Sequence, residues 1–184
     1  KRYLLYAWPL FGTKIVYFFM AWFDTFAIGY FLSPREVGIY VITLLIVEIP
    51  VNVLIALNSI FFPTIACIIS RKEVAKVTQL YQDAVRVLGL ITLPMFGFLL
   101  VYAPELMQLF GEGFRIPFGV IIFLTLSALL RVMSGPVGMI LNGFDRHQHV
   151  FTYTLVGLFV GVMLNLYLIP RIGLMGAAIA NASV

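Results

Sequence analysis

Asp24, Glu48 and Arg131, with Lys14 beside them, are the residues whose types and positions could do chemistry here. Each sits inside a long apolar stretch of the chain rather than in a polar joint between stretches. Holding a charged side chain at the centre of a bilayer costs about 2.5–3.5 kcal/mol on insertion scales, so an ionisable residue at that depth is a functional-site hypothesis by default. A carboxylate there can take up and release a proton or a cation. A guanidinium or ammonium there can counter a phosphate.

Depth follows from counting residues inward from the joints. At 1.5 Å rise per residue, Asp24, Glu48, Arg131 and Lys14 lie roughly 12, 18, 21 and 27 Å from one boundary. Glu48 and Arg131 are nearly level, close to mid-membrane, and could pair. Such a pair could be purely structural, and Lys14 could snorkel to the interface. Asp24 is short and has no such escape. Asn52 and Asn58 extend the polar face of the second segment. Charges drawn from three segments are accommodated most economically around one shared hydrated cavity, which points to a transport path.

The elements that must position these residues are helices. Hydrophobic residues make up 62% and charged residues 11% of the chain, with a mean hydropathy of +1.04. A soluble domain runs at about 45–50% and about 25%, so much of this surface must face lipid. Apolar spans are read at about 3–32, 37–69, 85–102, 117–141 and 150–169, with a partial span at 173–184. An amphipathic surface helix is read at about 70–86, where Val74, Val77, Leu80, Tyr81 and Ala84 recur at helical spacing. Pro50 and Pro63 are the expected kink points of the second span. Pro104 is expected to open a short turn, and 170–173 to form another. No strand signal competes. The expected fold is all-α, a polytopic transmembrane bundle forming a single lobe. The chain reads as a piece of a longer one, since it starts at Lys1 without Met and stops inside an apolar segment.

Topology follows from Lys and Arg. Lys1, Arg2, Arg71, Lys72, Lys76 and Arg146 fall on one side of the alternating joints, and Arg35, Arg115 and Arg171 on the other. The richer side, with the chain start, is expected to be cytoplasmic. Membrane topology thus accounts for the formal net charge of +4, and no nucleic-acid partner is implied. Tyr3, Tyr6, Trp8, Tyr102 and Tyr153 fall near span ends, as in an aromatic belt. Tyr17, Trp22, Tyr30 and Tyr40 could line a sugar-binding vestibule or pack in the core.

Other motifs point away from enzymes. The lone Cys67 excludes an internal disulfide or a paired-cysteine metal site. His147 and His149 lack a third ligand, so no metal site is expected. There is no phosphate loop, HExxH or GxSxG. No catalytic residues and no cofactor are expected. The Gly157-x-x-x-Gly161 pattern and Asn142 and Asn165 read as helix-packing features.

Four segments resemble one family, in family order. Asp24-Thr25-Phe26-Ala27-Ile28-Gly29-Tyr30-Phe31-Leu32 with Glu36-Val37-Gly38-Ile39-Tyr40 resembles the opening of the C-terminal lobe of polysaccharide-biosynthesis flippases. Phe61-Phe62-Pro63-Thr64-Ile65-Ala66 resembles their FPxIA segment. Leu109-Phe110-Gly111-Glu112-Gly113-Phe114 resembles a family joint. Residues 165–178, from Asn165 through Pro170 and Gly173 to Ala178, resemble NxxLIPxxGxxGAA. The family is the O-antigen-type lipid-linked oligosaccharide flippases of the multidrug/oligosaccharidyl-lipid/polysaccharide exporter superfamily.

The resemblance implies the second six-helix lobe of a two-lobe alternating-access transporter, its last helix cut short, in the bacterial cytoplasmic membrane. Its partner would be an N-terminal lobe of the same polypeptide, and its substrate an undecaprenyl-pyrophosphate-linked oligosaccharide. Arg131 and Lys14 would then bind the pyrophosphate. Asp24 and Glu48 would carry the coupling ion, with Asn52 and Asn58 lining the cavity. A cation-coupled multidrug antiporter of the same superfamily would use Asp24 and Glu48 and would not need Arg131. A membrane-embedded glycosyltransferase or polymerase would need a long loop with catalytic residues, and no joint provides one.

Overall fold

The structure, a computed structural model, describes residues 2–70, 74–111, 116–135, 137, 140 and 147–183. Lys1, Arg71, Lys72, the joint at 112–115, Pro136, Asn142 and the 145–146 part of the polar joint lie outside the described residues. Every described element is a helix: α1 (Arg2–Phe31), α2 (Pro34–Val47), α3 (Ile49–Ser70), α4 (Val74–Gln108), α5 (Phe118–Ser134), α6 (His147–Ile172) and α7 (Leu174–Ala182). In hydrocarbon a helix satisfies its own backbone hydrogen bonds, which is why this composition folds so. Of the described helices, Lys76–Gln108 and Gln148–Ile172 are each long and apolar enough to cross a membrane, and α2 with α3 adds a third if the bent pair is one span. The chain is an all-α membrane bundle.

Neighbouring helices pack in the order α1, α6, α7, α5, α4, α3, and α2 lies against α1, α3, α4 and α5, bridging the two ends of that series. Contact with four helices explains why Tyr40 and Val47 are buried. The core runs through Ile28, Tyr40, Leu88, Leu124, Ala128 and Ala177. Apolar side chains such as Trp8, Phe26, Leu90 and Phe159 project outward, where lipid would cover them.

The start of α2 follows the sequence closely. Ser33 caps it, Glu36 completes a capping box, and Pro34 occupies the first turn. Other boundaries differ from expectation. The break in the second span falls at Glu48, with a 49° bend between α2 and α3. Pro50 sits in the first turn of α3, where its missing N–H cannot return to Ile46. Pro63 lies inside α3 without breaking it.

The surface helix and third span form one helix of 35 residues that runs through Pro94 and Pro104. Neighbouring packing lets membrane helices tolerate such prolines. At about 1.5 Å per residue this helix is about 52 Å long, so its polar first turns project beyond a hydrocarbon core of about 30 Å. Tyr81 ties that projection to α5 by donating to the Ser134 carbonyl at 3.3 Å. At the other end of the chain, α6 continues through Pro170, and the turn is Gly173 alone, with φ of 61°.

Candidate functional site

The site is assembled from four helices by simple spacing. On α1, Tyr17, Met20, Ala21 and Asp24 fall on one face. Ser127, Arg131 and Ser134 do so on α5, while Leu124, Ala128 and Val132 hold its core face. Gly157, Gly161 and Asn165 fall at four-residue steps on α6. Ala180 and Asn181 reach in from α7. Together they surround an open cavity of about 550 Å³.

The α6–α7 corner sets the positions of the two asparagines. Gly173 makes the turn with a positive φ. A Cβ on Gly176 would stand 2.5 Å from the Leu168 carbonyl carbon and 2.8 Å from Ile169 N, so only glycine lets α7 fold back this tightly.

Asp24 is the centre of the polar wall, with 7% of its surface exposed. Asn165 Nδ2 donates to its Oδ1 at 2.7 Å. Its Oδ2 accepts from Tyr40 Oη at 3.0 Å and from Asn181 Nδ2 at 3.1 Å. Asn165 Nδ2 also donates to the Gly161 carbonyl at 3.0 Å, which fixes the amide and leaves its buried Oδ1 without a protein partner. Ser127 Oγ donates to Asn181 Oδ1 at 2.9 Å, extending the network to α5. All three donors to Asp24 are neutral. They orient the carboxylate without cancelling its charge, so a proton or a cation is the natural complement.

Arg131, one turn beyond Ser127, lines the same cavity. Its Nη2 donates to Glu48 Oε1, forming a salt bridge between α5 and the α2–α3 break. The pairing that equal depth allowed is therefore present. The two side chains remain 49% and 34% exposed, so the bridge stands at the edge of open space rather than inside the core.

Lys14 is exposed on α1 and is not among the cavity-lining residues. Asn52 is exposed and donates to its own helix, at the Glu48 carbonyl, at 3.0 Å. Asn58 is half-buried, with its Oδ1 unpartnered. Neither asparagine lines the cavity that Asp24 and Arg131 share. Tyr40 is fully buried as an Asp24 donor rather than in a vestibule, whereas Tyr17 does line the cavity. Sequence reasoning treated Asn165 as a helix-packing feature and passed over Asn181 and Ser127. The signal available was their spacing: Asn165 continues the glycine face of α6, and Ser127 lies one turn before Arg131. Among the described residues no group of three His, Cys, Asp or Glu could hold a metal.

Comparison with known proteins gives the family. The sequence profile described as "Polysaccharide biosynthesis protein" matches residues 1–114. "Probable flippase AglR" of Haloferax volcanii is 28% identical over 183 residues, covering 96% of this chain and 38% of the relative. "Probable low-salt glycan biosynthesis flippase Agl15" of the same organism is 27% identical over 166 residues, covering 90% of this chain and 35% of the relative. The chain thus spans little more than a third of the length of these curated relatives. No solved structure matches it. A profile match over more than half the chain, on an all-helical membrane bundle, places this chain in the polysaccharide biosynthesis protein family.

Proposed function

We propose that this chain is one lobe of a flippase that carries a polyprenyl-pyrophosphate-linked oligosaccharide across the cytoplasmic membrane, without covalent chemistry. Arg131 counters the headgroup phosphates, its planar fork suiting two oxygens at once. The polyprenyl tail stays in lipid. A second lobe from the same polypeptide completes the path, and alternating access moves the headgroup between the two sides. The basic joints, with the chain start, face the cytoplasm.

Asp24 carries the coupling ion. The observation that carries this reading is a buried carboxylate held by three neutral donors, on a cavity whose other charged wall is Arg131. The unpartnered Asn165 Oδ1 adds a second oxygen of the kind a hard cation takes. Occupation of Asp24 neutralises the cavity wall and shifts the balance between inward- and outward-open states. The relatives' names, both of flippases and one of glycan biosynthesis, favour a glycan over a drug as cargo.

The test is translocation of a lipid-linked oligosaccharide by the full-length protein in proteoliposomes. Wild type flips faster under an imposed proton or sodium gradient. Asp24→Asn, with the donors' geometry preserved, flips at a rate the gradient does not change.

A further inference from the structure

The Glu48–Arg131 bridge adds a side-chain tie to a seam where α2 and α3 both pack against α5. Arg131 belongs to the cavity wall on α5. Glu48 belongs to the break between α2 and α3, as the residue that caps α2. Backbone bonds continue across the break: Glu48 N donates to Leu44 O at 2.8 Å, and Asn52 N donates to Glu48 O at 3.1 Å. Pro50 removes one bond from this ladder, and the two helices meet at 49°. The break is thus helical on both sides, weakened by one missing bond, and tied to α5 by a side chain.

The bridge is partly exposed, its side chains 49% and 34% open, and its Arg131 end lines the cavity. An exposed ion pair is weak enough for a stronger anion to displace. A single carboxylate oxygen occupies the guanidinium here. A diphosphate brings more charge and more acceptor oxygens to the same fork. The resident anion therefore holds the seat only until such a ligand arrives.

We propose that Glu48 is the resident occupant of the Arg131 anion seat, and that a diphosphate displaces it and so releases the α2–α3 break from α5. The inference rests on the reading of Arg131 as the phosphate ligand. It turns ligand arrival into movement. While Glu48 holds the guanidinium, side chains tie α2 to its neighbours at three levels: Tyr40 to Asp24, Thr43 to Met107 Sδ at 3.6 Å, and Glu48 to Arg131. After displacement the Tyr40 and Thr43 ties still hold α2, and α3 can swing at the weakened joint beyond them. Glu48 acts as a positioning residue, and it sets a threshold: ligands that cannot outcompete a carboxylate do not trigger the change.

The experiment uses the full-length protein with its cysteines replaced, including Cys67→Ser, and spin labels at exposed Tyr30 on α1 and Ile60 on α3. Geranylgeranyl diphosphate is the probe, with geranylgeraniol as the uncharged control and inorganic pyrophosphate as the soluble anion. The diphosphate should shift the distance distribution in the wild type. Glu48→Gln should show the shifted distribution without ligand and bind the diphosphate about threefold to tenfold tighter, since its competitor is gone. A shift with inorganic pyrophosphate alone supports the latch and makes a soluble diphosphate sufficient to trigger it. An equal shift with geranylgeraniol overturns it. If Arg131→Ala loses diphosphate binding while Glu48→Gln keeps wild-type affinity and distances, the latch is wrong and the phosphate role of Arg131 stands. If Arg131→Ala binds as wild type does, both fail together.

Discussion

Asn165 Nδ2 stands 2.7 Å from Asp24 Oδ1, although 141 residues separate them in the chain. That contact ties α6 to α1 at a buried carboxylate. Asn181 does the same from α7, and Tyr40 from α2. One acidic side chain thus organises four helices. Its three hydrogen-bond donors are all neutral.

The donors around Asp24 should be coupled energetically. Interhelical hydrogen bonds in membranes average about 0.6 kcal/mol, with a maximum near 1.7, but bonds to a charged group run at about 1.5–3 kcal/mol. Asn165→Ala should therefore cost about 1–2 kcal/mol. In an Asp24→Asn background the same change should cost clearly less. A double-mutant cycle on denaturant unfolding of the purified protein checks this, and equal costs in both backgrounds would mean that Asn165 does not act through Asp24.

The α6–α7 corner makes its own prediction. Gly176→Val forces a side chain into the Leu168–Ile169 backbone, with an overpacking cost of about 1–3 kcal/mol or more. Asn181 then moves away from Asp24. Fluorescence-detected size exclusion should show a reduced monodisperse fraction, and Gly176→Ala should fall between this variant and wild type.

For the salt bridge, Arg131→Ala should reduce transport at least about tenfold, the loss of one charge-assisted contact. Arg131→Lys should retain part of the activity, because it keeps the charge and loses the fork. If the bridge were only structural, Arg131→Ala would strand Glu48, and Glu48→Ala/Arg131→Ala would recover both protein level and transport. Transport by the double variant decides between the two.

Orientation can be checked by labelling. With Cys67→Ser, a cysteine at position 76, on the projecting part of α4, should react with an impermeant thiol reagent only after the cells are opened. Labelling in intact cells would place the basic joints outside.

How much of this was legible in the sequence depended on locality. The all-helical membrane class follows from composition, and the Ser33–Pro34–Glu36 cap is written within four residues. Asp24 stood out because a short carboxylate in an apolar span has no inexpensive explanation. Depth counting set Glu48 level with Arg131 because both count from joints that bound real helices. The partners of Asp24 were not legible: they lie 16, 141 and 157 residues away, and helix rotation decides whether they face it. Lys14 shares the side of α1 that carries Tyr17 and Ala21 but lies a turn before them, outside the described lining of the cavity. Proline read as punctuation held at Pro34, which opens α2, and misled at Pro104 and Pro170. Packing carried α4 through Pro104 and α6 through Pro170, while the bend expected at Pro50 falls within its preceding turn, at Glu48.

The central claim is that Asp24 carries the coupling ion for flipping. The most direct measurement is initial-rate translocation of a lipid-linked oligosaccharide by full-length wild type and Asp24→Asn in proteoliposomes, with proton and sodium gradients imposed and collapsed. The account predicts that wild type responds to one of the gradients and that Asp24→Asn still binds the lipid-linked substrate but flips at one rate throughout. Undiminished gradient dependence in Asp24→Asn would contradict it.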